Sequence, residues 1–156
     1  MEIILKPVAT VRNSRTQPLD DNWEPVISIL ELAEDIPVEA FENISDFSHL
    51  EIIYYFDKVK NEEIVFSGRP RGNPRYPLVG IFGQRKKDRP NKIGLSTVEL
   101  LEHKGRTLKV RYLDAIDGTP VLDIKPVFSE FQPKGEIRQP SWVSDLMQAY
   151  WKENNK

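Results

Sequence analysis

Leu50–Phe56, LEIIYYF, is the stretch that decides the fold. Its β-branched and aromatic side chains suit a pleated, packed surface, so it is predicted to be a central buried strand. Working outward, Val26–Leu32 (VISILEL) alternates apolar and polar side chains as a half-buried strand does. Leu108–Leu113 alternates as well, with Leu108, Val110 and Tyr112 assigned to one face and Lys109, Arg111 and Leu113 to the other. Ile3–Leu5, Val8–Val11, Thr97–Leu101 and Val121–Ile124 add shorter strands, and Ile36–Phe41 reads as one helical turn. Asn13–Pro25 is a polar loop carrying Trp23, and Asn61–Tyr76 is an irregular, mobile loop punctuated by glycine and proline. Only Ser141–Lys152 has helical spacing: Pro140 precedes it, Ser141 is placed to cap it, and Asp145 falls in its first turn. The expected architecture is mainly β, a barrel-like domain over residues 1–139 with short helical turns, followed by one C-terminal α-helix over 140–156. That helix carries Trp142, Leu146 and Tyr150 beside Val143, Met147 and Trp151, more apolar surface than one stripe requires. Two readings are open for it, packing on its own barrel or covering a partner subunit.

Composition narrows the chemistry. The 156 residues suit one domain, with 39% apolar and 29% charged side chains, as in soluble globular proteins. There is no cysteine, which removes disulfides, thiolate catalysis and cysteine-built zinc sites. No run is long and apolar enough for a signal peptide or a membrane span, so a cytoplasmic protein without membrane contact is expected. His49 and His103 have no metal-pair spacing, and no metal is expected. Neither G-x-G-x-x-G nor G-x-x-x-x-G-K-[ST] occurs, which sets aside Rossmann and P-loop sites.

The net charge of −2 conceals an asymmetry. Residues 69–92 hold eight basic side chains against Asp88 alone, whereas residues 20–63 hold thirteen acids against Lys58 and Lys60. A local positive field on an acidic protein points to an anionic partner meeting one face, or else to a solvated basic loop. Its centre is Gly80–Ser96, GIFGQRKKDRPNKIGLS, read as a strand that runs into a cationic loop turned by Pro90, Asn91 and Gly94. The companion segment is Asp117–Pro126, DGTPVLDIKP. Asp117 suits turn-capping or chemistry, and Asp123 and Lys125 share a strand face as an ion pair or as site residues. His49 stands at the start of the buried strand, either hydrogen-bonded to backbone or part of a site. Tyr112, Leu113 and Asp114 end their strand, lining a pocket or filling core and turn.

These two segments, with FSHLEIIYYF, resemble the TrmO family (YaeB/TsaA-like proteins). The family motif G-V-F-A-T-R-S-P-x-R-P-N-P-I-G-L-S is matched by Gly80, Phe82, Arg85, Arg89, Pro90, Asn91, Ile93, Gly94, Leu95 and Ser96, and the likeness runs from about Pro7 to Pro126. The resemblance implies a β-barrel methyltransferase of non-Rossmann type, a homodimer, using S-adenosylmethionine to methylate an adenine exocyclic nitrogen in tRNA, on N6-threonylcarbamoyladenosine beside the anticodon. It implies a cofactor pocket made by Arg85 at the end of the GIFGQR strand, Leu95 in the IGLS turn, Arg111, Tyr112, Leu113 and Asp114, with Asp57 and Lys58. In that setting Leu95 and Leu113 clasp adenine, and Arg85 takes the methionine carboxylate. Arg69, Arg71, Arg75, Lys86, Lys87 and Arg89 then meet RNA phosphates, Tyr76 or Phe82 stacks on a base, and Asp117 is the candidate base. His49, Asn91, Asp123 and Lys125 are motif residues without an assigned role. Gln84, Lys86, Lys87, Lys92 and Val127 depart from the family pattern, which leaves another nucleoside or a small molecule open as the methyl acceptor. The competing readings are a non-catalytic RNA-binding module built on the same loop and a scaffold dimerising through the terminal helix.

Overall fold

The computed structural model describes residues 1–152. Its strands are β1 (Ala9–Arg12), β2 (Ile27–Leu32), β3 (His49–Tyr55), β4 (Ser67–Gly68), β5 (Val79–Gly80), β6 (Ile93–Lys104), β7 (Thr107–Arg111) and β8 (Pro120–Pro126). Six of them close an antiparallel barrel in the order β1-β2-β7-β6-β3-β8, and β4 with β5 forms a separate ribbon. The LEIIYYF stretch occupies the predicted place. β3 lies between β6 and β8, and Leu50, Ile52 and Tyr54 point inward. Ala9, Val11, Leu30, Leu32, Val98, Leu108, Val110 and Val121 meet them in the barrel interior, with Phe41 closing one side. Ile36–Phe41 does supply a helical turn, a 3₁₀ turn over Val38–Phe41. Ile3–Leu5 is not a strand; those side chains are exposed.

One expected alternation fails where the backbone shifts parity, and a bulge breaks the period of two in β8. Leu108 and Val110 face inward as expected, but Tyr112 takes a left-handed φ of 69°. The chain therefore turns Leu113, not Tyr112, into the core, where it is wholly buried. In β8 the register against β3 slips between Ile53 and Tyr54, which pair with Asp123 and Val121. A bulge of this kind changes which face a side chain joins, so Val121 and Ile124 both pack on the core.

The cationic segment also differs from its reading. Ile81–Gly83 is a 3₁₀ turn rather than a strand, because Gln84 is buried and donates to the Gly68 and Val79 carbonyls, curling the chain against the ribbon. The IGLS residues are not a turn; they open the long strand β6. The turn comes earlier, at Asn91 and Lys92, both with positive φ. Residues 61–76 are tied down rather than loose: Lys92 donates to Val59 and Asn61, the Val65 amide to Asp88, and Arg69 to the carbonyl of buried Tyr76.

The terminal helix α1 (Ser141–Leu146) is half the expected length, and Ser141 is its first helical residue, not its cap. Pairing with the loop before β2 draws the chain out of the helix. The amides of Asn22, Trp23 and Glu24 donate to the carbonyls of Ala149, Tyr150 and Trp151 at 3.0, 2.9 and 2.7 Å. The chain makes turns over 147–150 and bends at 151–152, and this strap pairs three of its carbonyls with three amides of residues 22–24, satisfying six polar backbone groups. Trp142 lies against Tyr76 at 6.2 Å between ring centres, and the Tyr76 hydroxyl donates to Asp145 at 2.5 Å. The segment packs on its own chain. The last four positions of the expected 140–156 unit lie outside the described residues.

Of the barrel's glycines, Gly94 has the least room for a side chain. It pairs with Tyr54 across β3 and β6, and a Cβ there would stand 2.5 Å from the Tyr54 ring. Gly94→Ala is expected to destabilise the fold by about 1–3 kcal/mol, the usual range for overpacking a filled site. Gly80→Ala, where a Cβ meets nothing within 4 Å, should change little. Urea unfolding of the two variants measures the difference.

Candidate functional site

At one end the barrel interior turns polar. Tyr54, Ser96 and buried Ser28 replace the aliphatic side chains found deeper inside. Asp114, just past β7, stands over this end. Its Oδ1 accepts hydrogen bonds from the Tyr54 hydroxyl at 3.1 Å and from Ser96 Oγ, and its Oδ2 accepts from the Tyr150 hydroxyl. Tyr54 reaches Asp114 by lying flat over Gly94, so the glycine of the IGLS segment is a steric requirement of the cluster. Burial first, and the Asp114 carboxylate second, push the Tyr54 and Tyr150 phenols well above the usual tyrosine range. Both remain donors at any physiological pH. Arg85 sits near enough to oppose that shift on both tyrosines, and its Nη2 donates to the Leu95 carbonyl at 2.7 Å. Arg85, Leu95, Ser96 and Asp114 are thus brought together from three separate segments.

Beside this cluster lies an open groove of about 440 Å³ lined by Glu24, Thr97, Tyr112, Trp151 and Lys152. Tyr112 reaches it because of its left-handed backbone, a conformation costly for a bulky residue and concentrated at functional sites. Arg111 lies over the Tyr112 ring at 4.7 Å, donates to its hydroxyl at 3.0 Å and approaches Glu24 at 3.6 Å. The buried Arg111 Nε has no hydrogen-bond partner among the described residues. Trp151 meets Tyr112 edge to face at 5.7 Å.

The other expected residues divide. Leu113 is wholly buried, so its side chain cannot clasp a ligand and only its main chain is available. Asp57 and Lys58 are exposed after β3 and approach each other at 3.8 Å. Asp117 accepts from the Asn13 amide at 3.0 Å while its own amide donates to Arg15, which accounts for it as a loop cap. Asp123 and Lys125 form an ion pair at 2.9 Å along one strand. His49 is exposed and its Nδ1 hydrogen-bonds the Ser48 hydroxyl rather than backbone. Asn91 supplies the left-handed turn before β6.

Much of the basic loop is spoken for within the chain. Arg71 pairs with Asp21 at 2.9 Å and Asp20 at 3.8 Å. Lys86 and Lys87 flank Asp88, and Arg89 donates to the Gln84 and Lys86 carbonyls. Tyr76 is too buried to stack on a base, whereas Phe82 is exposed. Among the described residues no group of three or more His, Asp or Glu is placed to hold a metal ion, and no helix is long and apolar enough to cross a membrane. Sequence reasoning missed Tyr54, Glu24, Tyr150 and Trp151 as site residues. The available signal was a pair of aromatics, Tyr150 and Trp151, exceeding the needs of a packing stripe.

Comparison with known proteins bears on the family and the fold. A protein of Pyrococcus abyssi, named a probable S-adenosyl-L-methionine-binding protein, is 38% identical over 100 residues, covering 64% of this chain and 52% of its own length. The tRNA (adenine(37)-N6)-methyltransferase of Escherichia coli is 41% identical over 104 residues, covering 61% of this chain and 43% of the relative. The chain thus spans about half the length of these curated relatives. The crystal structure of TrmO from Pseudomonas aeruginosa superposes with a TM-score of 0.73 at 26% identity, over 91% of this chain and 62% of that one. A family model, the tRNA-methyltransferase O N-terminal domain, matches residues 10–132, which takes in every barrel strand but the start of β1 as well as the Arg85–Asp114 cluster. By that match the chain belongs to the TrmO N-terminal domain family.

Proposed function

We propose that this protein is an S-adenosylmethionine-dependent methyltransferase that modifies the N6 nitrogen of an adenosine in tRNA, N6-threonylcarbamoyladenosine beside the anticodon. The observation that carries the reading is the convergence of Arg85, Leu95, Ser96 and Asp114 at the rim of the barrel, next to an aromatic groove. The residues suit such a cofactor. A guanidinium holds five N–H donors, of which Arg85 spends one on Leu95, so a carboxylate can be gripped alongside. Asp114 offers acceptors for ribose hydroxyls, and the unpartnered Arg111 Nε is a donor awaiting a polar group. S-adenosylmethionine supplies an activated methyl group, and the chain's part is to orient it, hold the acceptor nitrogen in line and exclude water. No side chain here is assigned as a general base, since the Asp117 carboxylate is engaged in its own loop.

For the RNA, we place the contact on exposed Arg75 and on Lys86 and Lys87, whose pairs with Asp88 at 3.6 and 3.9 Å are long enough to be exchanged for phosphates. Arg71 and Arg89 instead shape the loop that presents them. A second subunit, where it forms, has an exposed apolar surface at Phe66, Leu78 and Phe82 around the β4–β5 ribbon.

Calorimetric titration with S-adenosylmethionine tests the reading, with micromolar-range binding expected. Arg85→Ala should weaken that binding by about tenfold or more, because a charge-assisted carboxylate contact is lost. Absence of binding both with and without tRNA would overturn the proposal. Arg75→Ala and Lys87→Ala should each lower the slope of log affinity for tRNA against log salt by about 1, as for a lost phosphate contact. Arg71→Ala should instead show its effect as a lower melting temperature, read by circular dichroism.

A further inference from the structure

Resting on that reading, we propose that the strap over residues 149–152 is part of the ligand site, and that Trp151 is the wall on which the adenine ring of the cofactor stacks. The strap is held from three directions. Its carbonyls take the amides of Asn22, Trp23 and Glu24, the Tyr150 hydroxyl binds Asp114, and Trp151 abuts Tyr112. Packing alone does not require this arrangement, since Trp151 is only half-buried and its ring faces the groove lined by Glu24, Thr97 and Tyr112.

The chemistry of the groove suits a flat, amino-bearing ring. Trp151 and Tyr112 offer π surfaces set at 83° to each other, so a ring lying against Trp151 presents its edge to Tyr112. Glu24 supplies a carboxylate on the same lining, the partner an exocyclic amino group needs. Tyr150 and Trp151 are consecutive, so one peptide places a hydroxyl on Asp114 and an indole on the neighbouring groove. The strap thereby couples the rim cluster to the groove. Residues 149–152 lie beyond the 10–132 span of the family match.

Titration of the full chain with S-adenosylhomocysteine, followed by calorimetry and by tryptophan fluorescence, decides the matter. Trp23 is buried and Trp142 lies against Tyr76, so quenching on binding is expected to come from Trp151. Trp151→Ala should weaken binding by about tenfold or more, and Trp151→Phe should hold it within about threefold, in the range set by aromatic stacking on a base. In Trp151→Phe the quenching should vanish while binding persists, a result that stands even where the alanine variant folds poorly. Affinity for an anticodon stem-loop RNA should be the same in both variants as in the unaltered chain. Unchanged affinity in Trp151→Ala, quenching retained in Trp151→Phe, or a loss confined to RNA would each overturn the proposal while leaving the methyltransferase reading intact. Failure of the unaltered chain to bind S-adenosylhomocysteine, both with and without tRNA, would overturn both.

Discussion

The Asp114 carboxylate is the constraint around which the functional end of the barrel is arranged. It receives hydroxyls from Tyr54 on β3, Ser96 on β6 and Tyr150 on the strap. Hydrogen bonds to a charged group contribute about 1.5–3 kcal/mol each, against a desolvation cost of several kcal/mol for a poorly hydrated ion. Three donors offset that cost more fully than one or two would. Each donor has a structural prerequisite. Tyr54 needs the bare backbone of Gly94, Ser96 needs the IGLS residues to be strand rather than turn, and Tyr150 needs the strap to leave the helix.

The sheet was legible from alternation because the barrel buries one face of each strand. VISILEL and LEIIYYF fall where they were read, and the barrel class followed from them. What stayed hidden were the points where the period of two is broken. The left-handed Tyr112 exchanges its place with Leu113, and the bulge near Leu122 brings Ile124 onto the core with Val121. Neither has a glycine or proline to announce it, since tertiary contacts impose these conformations at the barrel rim. The resemblance named Arg85, Leu95 and Asp114 as candidates, and the fold sets them near one another. It could not locate Tyr54, whose part depends on a cross-strand neighbour forty positions later in the chain.

Charge was the least transparent property. Eight basic residues within 69–92 suggest an open cationic face. The folded chain spends Arg71 on Asp20 and Asp21, sets Lys86 and Lys87 against Asp88, and uses Arg69, Arg89 and Lys92 to hold main-chain carbonyls. Arginine suits this use because its planar fork bonds several carbonyls at once. A cationic run in sequence therefore counts both the charges that meet a partner and the fasteners that shape the loop presenting them.

Pairing of the strap with residues 22–24 has a bearing on the order of assembly. All strands needed for barrel closure have been synthesised once β8 is made, and domains fold as their chains emerge. The indole and phenol of the strap are translated later. Every strand of the barrel thus precedes the strap in the chain, so closure of the barrel and completion of the groove draw on different segments and are separable events.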